Sequence, residues 1–182
     1  MISSPREPKA PLWPSSDPET ESAIGRLVLA WGVLEREIDE AIVSVYRLND
    51  TLGGAIAANL GTKAKLEICQ AAVHILAEEL AFSGDLVTII DSLVTRTAAL
   101  SADRRLVIAH GQPWQVTTAD GPVWVLMKHS ARKGGLTARG YHLTPEPFIE
   151  AVELVRTLVD DWFAFRQAVA KSDRFRRFLE QG

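Results

Sequence analysis

The sequence predicts an all-α fold, a bundle of four or five helices with a small β-hairpin before the last long helix. Apolar residues recur at alternating steps of three and four through most of the chain, which is the period of amphipathic helices. Around the turn-forming pair Asp120-Gly121, at about residues 114–128, the period changes to two. We find no internal repeat, so we expect a single domain over residues 19–182.

Composition agrees with one compact domain. Of 182 residues, 47% are apolar and 24% are charged, which suits one hydrophobic core. The net charge of −3 argues against a protein that coats nucleic acid with its whole surface. Cys69, the single cysteine, has no partner for a disulfide and we expect it to pack in the core. Without a signal-like or membrane-spanning apolar run, the expected location is the cytoplasm, away from membranes.

Residues 1–18 differ from the rest of the chain. They hold five of the nine prolines and few core-forming residues, so we predict a disordered or extended N-terminal arm. A first long helix then runs from about Pro18 to Leu48, with Ser16 or Asp17 as its cap.

The apolar seam of this first helix is interrupted by a glutamate. We assign the seam to Ile24, Val28, Trp31, Ile38, Ile42 and Val45. Projection at about 100° per residue places Glu35 near the middle of that stripe. A buried carboxylate requires a partner, and Arg104, Arg105 and His110 are the candidates. The alternatives are a bond to another arginine, such as Arg96, or an opening to solvent.

The middle of the chain predicts two more helices. Residues 49–61 are interpreted as a flexible stretch, followed by a helix from Thr62 to Leu80. A third helix begins near Ser83 or Asp85. It either continues to Ala109 or restarts at Ser101, and Gly111 ends it.

The last long helix is predicted to begin at Thr144, with Pro145 at its favoured first position. Its apolar side carries Phe148, Val152, Val155, Leu158, Trp162, Phe165 and Val169. Residues 173–182 add a further amphipathic turn or two.

The segment "ADRRLVIAHGQPW", residues 102–114, carries most of the chemistry. His110 stands at a predicted helix end, before a glycine, so its imidazole is exposed. On an ideal helix Arg105 and His110 point about 140° apart, so they converge only if the helix ends near His110 or the arginine wraps round. Alternatively, Arg104 and Arg105 are solvated or paired with acids, and His110 caps the helix.

These residues resemble the HEPN superfamily of helical, mostly prokaryotic ribonucleases. The likeness covers residues 20–170 in helix order and includes "AWGVLEREIDEAI" (30–42) and "RRLVIAHG" (104–111). The family motif is arginine, four to six residues, then histidine, commonly with a polar residue after the arginine. Arg105 precedes His110 with four intervening residues, and Leu106 then takes the polar position. Arg104 precedes it with five, and Arg105 is then the follower.

The resemblance implies a homodimer whose two motifs face each other and cleave RNA without a metal or other cofactor. It also implies a toxin or phage-defence effector, with an antitoxin or nucleotidyltransferase as possible partner. The residue types suit the reaction: an imidazole transfers protons near neutral pH, and a guanidinium binds phosphoryl oxygens. Glu35 joins Arg104, Arg105 and His110 as a predicted catalytic residue.

A basic loop is predicted at residues 128–142. It carries four cations expected to bind RNA, Lys128, Arg132, Lys133 and Arg139. Aromatic residues available for base stacking are Trp114, Trp124 and Tyr141. The alternative is a solvated glycine-rich loop.

Several enzyme classes are not indicated, because the sequence lacks a glycine-rich phosphate loop, HExxH, paired CxxC and GxSxG. Two other functions stay open beside the ribonuclease. One is a non-catalytic interaction or regulatory module of the same fold, in which Glu35 and the arginines form a structural network. The other is a nucleotide-binding helical bundle.

Overall fold

The structure, a computed structural model, describes residues 18–46, 48, 50–80, 84–102, 112–119, 121–132, 135–142 and 144–172. Within these ranges the chain forms five helices, which confirms the predicted helical bundle. They are α1 (Pro18–Tyr46), α2 (Asp50–Ala58), α3 (Thr62–Leu80), α4 (Gly84–Leu100) and α5 (Glu146–Lys171). The predicted arm, except Pro18, and the predicted tail at 173–182 lie outside the described residues.

Helix α1 has about the predicted extent, and Trp31, Ile38, Ile42 and Val45 of the predicted seam are buried, but the centre of the buried face is turned towards Leu27 and Leu34. Val28 is 53% exposed, whereas Leu27 and Leu34 are buried. The buried positions follow steps of three and four through Thr20, Ala23, Leu27, Trp31, Leu34, Ile38, Ala41 and Val45. The predicted placement of Glu35 in the middle of the stripe was therefore wrong. Leu34 takes that place, and Glu35 lies half-buried at its edge.

The flexible stretch predicted for residues 49–61 was wrong, because Asp50–Ala58 form helix α2. Gly53 and Gly54 lower helix propensity and concealed the helix from the pattern. Gly53 is buried, and a Cβ atom on it would overlap the side chain of Val43 in α1. The missing side chain is thus what allows α2 to approach α1 so closely.

Helices α3 and α4 form an antiparallel pair. Helix α3 has the predicted bounds, and only residues 81–83 separate it from α4. Gln70 and His74 of α3 both contact Asp91 of α4. Helix α4 ends at Leu100, and Ser101 and Ala102 continue with π-type hydrogen bonding. The predicted alternatives, continuation to Ala109 or a restart at Ser101, depend on residues 103–109, outside the described ranges.

Helix α5 supplies the two largest fully buried side chains, Trp162 and Phe165. Its predicted apolar side is confirmed at every position, since Phe148, Val152, Val155, Leu158, Trp162, Phe165 and Val169 are all buried. Trp162 and Phe165 meet edge to face, with ring centroids 5.8 Å apart. The Trp162 indole N–H donates to Thr97 Oγ1 of α4 at 3.1 Å, so the buried polar atom is paired.

Helices α1, α3 and α5 run in the same direction. In α1 and α3, Glu35 meets Thr62 and, one turn later, Asp39 meets Lys65. In α1 and α5, Arg26 and Val33 line a groove with Val152 and Val159, and the later residue Glu37 contacts Arg166. Helix α1 therefore contacts α5 along much of its length and α3 from about Glu35 onward.

The backbone between α4 and α5 forms three antiparallel strands in the order β1-β2-β3. They are β1 (Gln112–Thr118), β2 (Gly121–Arg132) and β3 (Gly135–His142). The two-stranded hairpin predicted for about 114–128 falls within β1 and β2, which pair across Thr118 and Gly121. The basic loop predicted at 128–142 instead occupies paired strands, with Lys128 opposite Arg139. The glycines and charged residues of that stretch are typical of a loop, so the sequence pattern did not predict a strand there.

Candidate functional site

The candidate site begins where Glu35 of α1 meets the first residue of α3. The hydroxyl of Thr62 donates to Glu35 Oε1 at 3.1 Å. The N-terminus of a helix carries partial positive charge and free N–H groups, which favour a nearby carboxylate. The partner that the sequence assigned to Glu35 was a cation from the third predicted helix. In the described residues, a hydroxyl at the start of α3 is one group that fills this role.

One turn further along both helices, a lysine and an aspartate hold α1 and α3 together. Lys65 Nζ lies 2.5 Å from Asp39 Oδ1. The Lys65 side chain is only 9% exposed, and that of Asp39 is 31% exposed. A buried ammonium is costly unless it is paired, so this contact restricts how α1 can shift against α3. The position of Glu35 is thereby fixed from the next turn.

On the opposite side, α5 holds the same segment of α1 through Arg166. Its guanidinium contacts Glu37 Oε2 at 3.1 Å and Glu40 Oε2 at 3.8 Å. The Arg166 side chain is 22% exposed and lies over the ring of Phe163, 5.2 Å from its centroid. The acidic segment 35–40 is therefore held from two sides, which makes Glu35 part of a rigid support.

The end of α4 reaches the same level of the bundle. Arg96 contacts Asp161 of α5 at 2.7 Å, and Leu100 is buried in the core. Because α4 runs antiparallel to α3, with Asp91 opposite Gln70 and His74, its last turn lies opposite the first turn of α3. The last turn of α4 therefore lies at the level where Thr62 and Glu35 meet, which is just past the middle of α1.

The other predicted site residues fall into two groups. Arg104, Arg105, His110 and Lys133 lie outside the described residues. Lys128 and Arg132 belong to β2 and Arg139 to β3, where the structure gives the backbone pairing. Lys128 is the register partner of Arg139, and Arg132 is the register partner of Gly135. Three of the four predicted RNA-binding cations thus lie on two neighbouring strands.

Sequence reasoning missed a polar cluster between α3 and α4. Asp91 Oδ1 accepts from Gln70 Nε2 at 2.7 Å and lies 2.8 Å from His74 Nε2. These hydrogen bonds, from Gln70 first and then His74, lower the pKa of Asp91. Gln70 and His74 are four residues apart on one face of α3, which was the available signal. The His74 and Asp91 side chains are both 44% exposed, as expected for a surface contact between two helices.

The predicted packing role of Cys69 is confirmed. The thiol is fully buried in the core, and burial raises its pKa to about 12. A thiol in that environment stays protonated and unreactive near neutral pH.

Among the described residues, no three histidine, cysteine or carboxylate side chains come together in a way that suits a metal ion. The helices in the described ranges are also too short or too polar to cross a bilayer. Comparison with family models, curated proteins and solved structures finds no match to this chain.

Proposed function

We propose that this protein is a metal-independent endoribonuclease that acts as a homodimer, with its reaction centred on His110 and on Arg104 or Arg105. One observation carries the proposal. The last turn of α4 lies opposite the first turn of α3, where Thr62 contacts Glu35, and Arg104 follows the described residue Ala102 by two positions in the sequence.

In the proposed reaction, the 2′-hydroxyl of a ribose attacks the adjacent phosphorus and the 5′-oxygen leaves. His110 takes or supplies a proton, since imidazole titrates near neutral pH. Arg104 or Arg105 binds the phosphoryl oxygens and stabilises the charge that develops there. Two histidines, one from each subunit of a homodimer, would provide the base and the acid.

Glu35 has a supporting role in this proposal. In addition to its hydrogen bond from Thr62, the Glu35 carboxylate would orient the guanidinium of Arg104 or Arg105, and the neighbouring ion pair of Asp39 and Lys65 would hold it in place. Such a contact would fix the arginine for bidentate binding of a phosphate.

The paired strands β2 and β3 provide the proposed path for RNA. Lys128 and Arg139 are register partners, and Arg132 lies on the same strand as Lys128, so three of the proposed RNA-binding residues belong to neighbouring strands. Lysine and arginine bind the phosphates of an RNA backbone, and Lys133 follows Arg132 in the sequence. From the resemblance to the HEPN superfamily, the proposed biological role is that of a cytoplasmic toxin or phage-defence effector with an antitoxin or nucleotidyltransferase partner.

The test is incubation of the purified protein with total cellular RNA in EDTA. We expect the wild type to cleave RNA and the variant His110→Ala to leave it intact. The matched control is His74→Ala, which removes a half-exposed histidine from the contact between α3 and α4 and should keep the activity. Intact RNA with dimeric, folded wild type would contradict the proposal.

A non-catalytic interaction module is the second candidate, and a specific observation favours it. The carboxylates at positions 35, 37, 39 and 40 all have contacts within the bundle, to Thr62, Arg166 and Lys65. An acidic segment engaged in this way acts as structural support even without catalysis. This function would be favoured if the folded wild type does not cleave RNA and His110→Ala has the same stability as the wild type.

A further inference from the structure

We draw no further inference here: the strongest candidate, the open apolar groove between α1 and α5 that Leu29, Val33 and Val152 line, carries none because nothing in the part of the chain that the structure describes shows what covers it.

Discussion

Thr97 and Trp162 illustrate how single polar contacts stabilise this bundle. Thr97 is fully buried, and its hydroxyl accepts from the indole N–H at 3.1 Å. Valine has nearly the same shape but no hydroxyl. Thr97→Val should therefore reduce the free energy of unfolding by about 1–3 kcal/mol, because a buried donor loses its partner. Urea unfolding measures this loss.

The control for that change is Thr157→Val on α5. Its hydroxyl donates to the carbonyl of Glu153 on an exposed face, so water can replace the bond. A change within about 0.5 kcal/mol is expected there. Equal effects of the two substitutions would contradict the role given to the contact between Thr97 and Trp162.

Asp91 gives a prediction about pH. Its pKa is lowered in the folded protein by the hydrogen bond from Gln70 and then by that from His74. A carboxyl of this kind stabilises the fold above its unfolded pKa of about 3.9 and loses that contribution as pH falls through the lower folded value. The difference in unfolding free energy between wild type and Gln70→Met should thus be present at pH 6 and shrink below about pH 4.

Urea titrations between about pH 3 and pH 6 measure that difference. Gln167→Met on α5 serves as the control, since the same chemical change there does not remove a bond to Asp91. A difference for Gln70→Met that stays constant over the whole range would contradict the assignment.

At the scale of secondary-structure elements, α2 depends on one of its two adjacent glycines. A Cβ at Gly53 would overlap Val43, whereas one at Gly54 has no neighbour within 4 Å. Gly53→Ala should lower stability by about 1–3 kcal/mol through overpacking. Gly54→Ala should raise it by about 0.5–1 kcal/mol, because alanine favours the helix. Thermal unfolding of both variants checks the opposite signs, and the same sign for both would contradict the close approach of α2 to α1.

Elements with a strong period were predictable from the sequence. The bounds of α3 and the buried face of α5 follow from steps of three and four with large apolar residues. The predicted buried face of α1 was displaced from the observed one. Ile24 and Val28 are apolar like Ala23 and Leu27, so hydropathy alone did not show which pair is buried. Helix α2 was missed because its glycines signal a loop, and only the neighbouring Val43 shows why they are there.

The candidate site was predictable in its residue types and less so in its contacts. Glu35 was singled out because a carboxylate interrupts an apolar pattern, and the structure gives it a partner. That partner is Thr62 of α3, and the sequence did not predict it because the packing of α1 between α3 and α5 is a property of the tertiary fold. The ion pairs of Lys65 and Arg166 have the same origin and leave no signal in the local sequence.

At the scale of the whole molecule, the helix directions determine which helix ends and side chains lie at the same level of the bundle. Helix α1 is held by α3 on one side and α5 on the other, and antiparallel α4 ends opposite the first turn of α3. The contact between Glu35 and Thr62 and the last turn of α4 therefore lie at one level of the bundle. Activity that depends on His110 and not on His74 would follow from this arrangement, because His74 contacts Asp91 in the middle of α4, whereas His110 follows the end of that helix.

The role of His110 is measured most directly by the rate at which the wild type and His110→Ala cleave a single-stranded RNA in EDTA. We expect a loss of about 10²- to 10⁴-fold in His110→Ala, the range for removal of a general acid or base. His74→Ala should cleave at nearly the wild-type rate. Equal rates for the wild type and His110→Ala would show that His110 takes no part in cleavage.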